Sequence, residues 1–433
     1  MAERKYEFRQ RLDKIHVPDR RDPDVACSQD ESMVQEGWKI VIDEGASDII
    51  INVAKDLQDY LLISMNTSVL LLKKGNLGDY IKGDTNIIVL ATKNNLAEFG
   101  CNLSIKGSYR LVCSKNQIIV CGNDERGTAH GSYFLEDLMN LGEAPVVKQQ
   151  DVIRKPVFSP RIVHSGWGLC QYPNSQLNAI AHYGMDAIAL TIKSVDHTEA
   201  GYQDINNLID RANSYGIDVY LYSLIKITKH PEDVDAEEYY DNVYGTIFRE
   251  YPRAKGIVLV GESIEFPSKD ERTTGRSWDS KDEYGLSGVK PSPGWWPCLD
   301  YPQYINMIKK AIQKHNPEAD IIFWTYNWGW VQEKERIDLI KSLPGDITLL
   351  VTFEMFEQIK RENITNVCVD YTISFEGPGR YFTSEAEAAH ERSLRLYTMS
   401  NTAGLTWDFG VIPYEPVPFQ WARRYEALLK AHN

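Results

Sequence analysis

The chain has 433 residues, 43% hydrophobic and 25% charged, the balance of a globular protein with a sizeable core and two or three domains. Its formal net charge of −14 argues against nucleic acid as a partner, because neutralising phosphates needs an excess of Lys and Arg. It contains no run of about 18 apolar residues, so no membrane partner is expected, and the N-terminus Met-Ala-Glu-Arg-Lys-Tyr-Glu has no apolar signal core.

Residues 1–36 are polar and charged, with Pro18 and Pro23, and read as an irregular lead-in. The run 38–43 (Trp-Lys-Ile-Val-Ile-Asp) predicts a strand. Over 45–66, Ile49, Ile50, Val53, Leu57, Tyr60 and Leu61 fall at the spacing of an amphipathic helix. Strands are predicted at 68–73 and 86–92, and 109–113 and 117–121 flank Ser-Lys-Asn as a hairpin. Asn123 or Asp124 can cap a helix over 123–139 that lines Ala129, Tyr133, Phe134 and Leu138 along one face. These elements predict an α+β domain over 37–150.

Pro145, Pro156 and Pro160 interrupt the chain before a strand–helix rhythm that repeats eight times over 151–433. Strands are predicted at 161–168, 187–192, 218–223, 256–262, 320–327, 347–353, 366–374 and 404–409. Helices follow at 174–183, 202–215, 235–251, 301–315, 332–343, 356–362, 384–400 and 419–431. An insertion at 267–299 is expected to roof a pocket. Eight such units in ~270 residues predict an α/β fold, a (β/α)8 TIM barrel preceded by the small α+β domain.

In a parallel barrel the chemistry sits at the C-terminal strand ends. Those ends carry His164, Trp167, Lys193, Tyr222, Tyr326, Asn327, Trp328, Tyr371, Trp407 and Asp408, with four further carboxylates, Glu262, Glu265, Glu354 and Asp370. Sugars present an apolar C–H face to aromatic rings and a hydroxyl edge to polar groups. Glycosidic cleavage needs two carboxyl groups, one to donate a proton and one as nucleophile or base. Glu262, Glu265, Glu354 and Asp370 are therefore the catalytic candidates, and the other ten are substrate-binding candidates. Glu262 directly follows the apolar run from Gly256 and is favoured by geometry as the acid; Glu265 stays open beside it.

The segment Arg126-Gly127-Thr128-Ala129-His130-Gly131-Ser132-Tyr133, with Leu135-Glu136-Asp137-Leu138, resembles the N-terminal domain of family 20 hexosaminidases and family 67 α-glucuronidases. In both, that domain precedes a catalytic (β/α)8 barrel. The strand-four segment is similar to the α-glucuronidase strand that ends in an acid, a serine and a catalytic glutamate, with one residue extra here. The stretch 370–377 (Asp-Tyr-Thr-Ile-Ser-Phe-Glu-Gly) resembles the strand whose carboxylate falls on Asp370. Family 20 enzymes carry an adjacent Asp-Glu pair after strand four; here Gly261 precedes Glu262. The resemblance implies a glycoside hydrolase acting on a terminal sugar. An α-glucuronidase or β-N-acetylhexosaminidase specifically is the narrower alternative; a catalytically silent carbohydrate-binding protein on the same fold, and a barrel lyase or isomerase, are the alternatives from other classes.

Seven cysteines, Cys27, Cys101, Cys113, Cys121, Cys170, Cys298 and Cys368, form no Cys-x-x-Cys pair. No disulfide framework is expected, which fits a reducing, cytoplasmic compartment. The histidines show neither His-x-x-x-His nor His-Glu-x-x-His, and 376–380 follows no phosphate-loop pattern, so neither a metal nor a cofactor is expected. The expected partners are a carbohydrate substrate and, at most, a second copy of the chain in a homodimer.

Overall fold

Apolar runs without polar alternation form the centres of both sheets. A computed structural model describes residues 14–164, 171–261, 267–270, 277–278, 288–289, 299–326, 328, 332–368, 375–400 and 418–432. The chain divides into one unit of residues 1–163, 171–188 and 207–218 and another of 164–170, 189–206 and 219–433.

The first unit contains strand β1 (Lys39–Asp43), helix α1 (Asp48–Ile63), strands β2 (Leu70–Lys74), β3 (Ile87–Thr92), β4 (Tyr109–Ser114) and β5 (Gln117–Gly122), helix α2 (Glu125–Leu141) and strand β6 (Gln150–Arg154). The strands form one sheet in the order β2-β1-β3-β5-β4-β6. The pairs β1–β2, β1–β3 and β3–β5 are parallel, while β4 runs antiparallel to β5 and β6. Every residue of β3 is buried, as a strand covered on both faces requires. Asp124 caps α2 by accepting from the Gly127 amide. The close pass of α2 depends on its glycines: a Cβ on Gly127 would lie 2.2 Å from the Ser108 carbonyl oxygen, and one on Gly131 2.5 Å from Val120 Cγ1. Beyond the predicted strands, β6 extends the sheet, and Glu31–Met33 pairs with Val146–Lys148.

The second sheet has seven strands: β7 (Ile162–His164), β8 (Ala187–Ile192), β9 (Asp218–Ser223), β10 (Gly256–Val260), β11 (Asp320–Trp324), β12 (Thr348–Thr352) and β13 (Arg395–Met399). They are neighbours in chain order, and the pairs from β9 to β13 are parallel. Helices alternate with them: α3 (Asn174–His182), α4 (Ile205–Ser214), the helical stretch 236–250, α5 (Tyr301–Gln313), α6 (Glu333–Ser342), α7 (Arg380–Glu391) and, after β13, α8 (Pro418–His432). Strand β10 is buried throughout. Each of its large aliphatic side chains contributes about 1.5–3 kcal/mol by leaving water. Among the described residues no helix is long and apolar enough to cross a membrane.

Three predicted elements differ. The helix predicted over 384–400 ends at Glu391, and Arg395–Met399 is a strand against β12. Ser393 takes a left-handed φ of 53° and the Leu394 amide closes the helix on the Ala389 carbonyl; Leu396, Tyr397 and Thr398 then suit an extended chain. The helix predicted over 356–362 is a hairpin arm, Gln358–Arg361, paired with Ile364–Val367. Phe356 and Glu362, at φ 60° and 51°, are incompatible with a helix there. The strand predicted over 366–374 therefore begins as the second hairpin arm, and β13 takes the seventh place in the sheet. Residues 369–374, the predicted strand 404–409 and most of the insertion 267–299 lie outside the described residues.

A buried ion pair fixes the chain just past β11. Arg336 and Glu385 are both fully buried and hydrogen-bonded to each other, and Thr325 Oγ1 donates to Glu385 Oε2 at 2.6 Å. The Arg336 guanidinium also lies 3.5 Å from the Tyr381 ring centroid. Glu385→Ala would leave a buried, uncompensated guanidinium. The expected loss of unfolding free energy is about 3–5 kcal/mol, measured by urea denaturation. A loss under about 1 kcal/mol would show that the pair does not hold this region.

Candidate functional site

Strands that run parallel end on one edge, so the residues just past them share that edge. His164 ends β7 and Tyr222 is the penultimate residue of β9. Their rings stack at 4.7 Å between centroids with 28° between planes. His164 is exposed and Tyr222 half-buried, yet the protein crowding the imidazole lowers its pKa to about 4 by desolvation. Lys193 follows β8 directly and is tied to Glu199 at 2.9 Å, with about half of its side chain exposed. Tyr326, two residues past β11, is half-buried against Trp324 at 4.7 Å.

Trp328 is fully buried. Its ring packs against Tyr301 at 5.5 Å and Phe323 at 5.4 Å, so the indole builds the floor under the strand ends rather than an open face. It fits because Gly261 has no side chain: a Cβ there would lie 2.6 Å from Trp328 Nε1. Gly261 is held on both sides of its peptide, its amide donating to the Trp324 carbonyl at 2.8 Å and its carbonyl accepting from the Tyr301 hydroxyl. The backbone is thus fixed one residue before Glu262. Glu262 itself, with Glu265, Trp167, Asn327, Asp370, Tyr371, Trp407 and Asp408, lies outside the described residues.

Glu354, two residues past β12, is the catalytic candidate with a described environment. Its side chain is fully buried and paired with Arg424 of α8, Nη1 to Oε1 at 2.8 Å. Ser400, the residue after β13, donates to the same oxygen at 3.3 Å. Glu354 Oε2 has no hydrogen-bond partner among the described residues. Arg424 also donates to the Phe375 carbonyl, so it links α8 to the strand edge at two points. Burial raises the Glu354 pKa to about 8, against the opposing pull of Arg424 and Ser400. A carboxyl so placed exchanges a proton near neutral pH, as a general acid or base must. Nearby, Glu357 accepts from the Gly377 amide at 2.6 Å, and burial raises its pKa too.

The sequence reading missed Ser400 and Arg424. Ser400 was hidden by the overextended helix prediction. Arg424 sits in an amphipathic helix where adjacent arginines read as solvated; the signal was that Arg423-Arg424 interrupts the face that also carries Leu428.

No family model matches the sequence, and no curated protein sequence matches it. Solved structures do match. A mutant Streptomyces plicatus β-hexosaminidase in complex with its product GlcNAc shares 13% identity at a TM-score of 0.52, over 88% of this chain and 74% of that one. A β-N-acetylhexosaminidase from Bacteroides fragilis shares 11% at 0.50, over 87% and 74%. A GH138 enzyme targeting pectin rhamnogalacturonan II shares 13% at 0.52, over 91% and 51%. The chain spans about half the length of the GH84, GH115 and GH138 structures it matches, 55%, 56% and 51%. The structural relatives are glycoside hydrolases, and at these identities the likeness is one of fold. The resemblance to family 20 hexosaminidases is matched at that level.

The raised pKa of Glu354 has a consequence for stability. The unfolded chain releases this proton near 4.5, whereas the folded chain keeps it to about 8. Stability from this group is therefore complete below about pH 4.5, declines as pH rises and is gone above about 8. Glu354→Gln removes that dependence. Relative to the variant, wild type is expected to lose up to about 1.4 kcal/mol per pH unit across this window, read from urea denaturation at pH 5, 6, 7 and 8. A difference that stays flat would mean that Arg424 keeps Glu354 ionised throughout.

Proposed function

We propose that the chain is a glycoside hydrolase that cleaves a terminal sugar by carboxylate acid–base catalysis at the C-terminal edge of its parallel sheet. The observation that carries this reading is Glu354: a buried carboxyl at a strand end, with a pKa near neutrality and one oxygen without a partner among the described residues. The glycoside hydrolase fold of the structural relatives supports it. In this reading β7 to β13 are seven consecutive strands of a (β/α)8 barrel, and 404–409 supplies the eighth. The stacked His164–Tyr222 face and Tyr326 receive the C–H face of the sugar ring. Lys193 meets a hydroxyl or carboxylate on its edge. Glu354 exchanges the proton, and its partner carboxylate comes from strand four, Glu262 or Glu265, with Asp370 as the third carboxylate of the site.

Turnover of a panel of aryl glycosides, including N-acetylhexosaminides and uronides, tests the activity and finds the sugar. Glu354→Gln is expected to lower kcat at least ~100-fold, as is one of Glu262→Gln and Glu265→Gln. If Glu354→Gln turns over at the wild-type rate, its assignment fails. Ser400→Ala removes a hydrogen bond that lowers the Glu354 pKa, so one limb of the pH–rate profile should move upward. Movement of the alkaline limb identifies Glu354 as the acid, and movement of the acidic limb identifies it as the base.

The full enclosure of Glu354 and its pairing with Arg424 favour a second reading, a carbohydrate-binding protein without turnover in which the pair only pins α8. Saturable binding of a glycoside that is never cleaved, unchanged in Glu354→Gln, would select it.

A further inference from the structure

Four side chains of the first unit, from four separate segments, meet away from the strand-end site. His16 precedes β1, Asp56 lies on α1, Glu136 on α2 and His182 at the end of α3. His16 Nε2 is 3.2 Å from Asp56 Oδ1. His182 Nε2 is 2.9 Å from Asp56 Oδ2 and 3.2 Å from Glu136 Oε2. The ligand atoms of His16, Glu136 and His182 all lie within 4.8 Å of one another. Glu136 is almost completely buried, and His16 and Asp56 are nearly so.

We propose that His16, Glu136 and His182, completed by Asp56, form a structural site for a divalent transition metal of the zinc class. The contacts of 3.2, 2.9 and 3.2 Å compare with about 3.3 Å between neighbouring ligand atoms of a tetrahedral site with bonds of about 2.0–2.1 Å; Asp56 faces His16 through Oδ1 and His182 through Oδ2. The tautomer of His182 also fits. Its Nδ1 lies 2.9 Å from the Asn178 carbonyl oxygen, which takes a proton on Nδ1 and leaves the lone pair of a neutral ring on Nε2. That lone pair faces two carboxylate oxygens, an arrangement that needs a cation between them or a proton on the ring. The supporting contacts are those of metal ligands: a backbone carbonyl orients the imidazole, and Asn178 Nδ2 donates to Asp56 Oδ1 at 2.8 Å. Glu136 Oε1, though buried, has no hydrogen-bond partner among the described residues. Two borderline imidazole donors beside two hard carboxylates suit zinc, cobalt or manganese better than calcium, which takes oxygen ligands. The ligands lie 40, 80 and 46 positions apart in the chain, so no short motif announces them, and the expectation of no metal rested on such motifs.

The test uses the full chain. Protein purified without chelator is expected to hold about one metal per chain by elemental analysis. Chelation should lower its Tm, and added Zn²⁺ should restore it with a stoichiometry of one by calorimetry. His182→Ala and the near-isosteric Glu136→Gln should lose both the metal and the Zn²⁺-dependent rise in Tm. Asn178→Ala keeps all four ligands and should weaken Zn²⁺ binding about 10- to 100-fold, an effect that mere loss of a buried hydrogen bond would not produce. His16→Ala, in the segment before the first sheet, keeps the test valid if the variants within the helices fail to fold. The proposal is overturned if the protein holds no metal and its Tm ignores Zn²⁺. It is equally overturned if the variants that fold bind Zn²⁺ as tightly as wild type, since a protonated His182 bridging the two acids would then account for the cluster.

Discussion

A charge removed from water must meet an opposite charge or give up its proton, and the second unit is built around that constraint. Glu354 and Arg424 are both fully buried. A buried guanidinium needs acceptors for its N–H groups, and Arg424 has Glu354 and the Phe375 carbonyl. This determines where α8 lies: its middle turn must reach the region just past β12. The same contact brings Ser400 onto the carboxylate, so three chain segments far apart in sequence converge on one oxygen. Breaking such a pair from one side costs several kcal/mol, whereas its net gain over an apolar contact is small. Its importance therefore lies in where it holds α8 and what it does to the Glu354 proton.

The rest of the strand edge is organised by packing. Gly261 lets the Trp328 indole lie against the end of β10, and Tyr301 and Phe323 close around it. An aromatic that the sequence offers as a sugar platform is thereby used as floor. His164 and Tyr222, at the ends of different strands, stack on each other instead. Residue type alone does not separate these roles. A Trp two or three positions past a strand can turn inward or outward, and the space left by a glycine on the neighbouring strand decides which.

Elements whose pattern is local were legible in the sequence. The run 256–260 is apolar throughout and is a buried strand; 125–141 carries a cap, helical spacing and the two glycines its packing needs. Where the reading failed, a single residue with positive φ changed the outcome. Ser393 ends a helix whose periodicity continues formally into Leu394 and Leu396, and Phe356 and Glu362 turn an apparent helix into a hairpin arm. Such φ values are unremarkable for glycine but not for Ser, Phe or Glu, so no composition rule flags them. Of the site, the strand-end positions His164, Lys193, Tyr222, Tyr326 and Glu354 could be read from topology alone. The groups that set the chemistry of Glu354 could not. Arg424 and Ser400 are ordinary helix and loop residues until the tertiary fold brings them together.

The buried carboxylates of the second unit separate by how completely they are satisfied. Glu385 has Arg336 on one oxygen and Thr325 on the other, so nothing remains for it to bind; it is an anchor. Glu354 has Arg424 and Ser400 on one oxygen and no partner for the other among the described residues. A buried polar atom without a partner costs about 1–3 kcal/mol, a cost that folding alone gives no reason to keep at a strand end. In the first unit, Glu136 Oε1 likewise has no hydrogen-bond partner among the described residues, beside two imidazoles. A buried polar atom without a partner calls for a specific explanation, a catalytic role or a bound ion among them. That contrast with Glu385 is the physical ground for assigning chemistry to Glu354 and a ligand to Glu136.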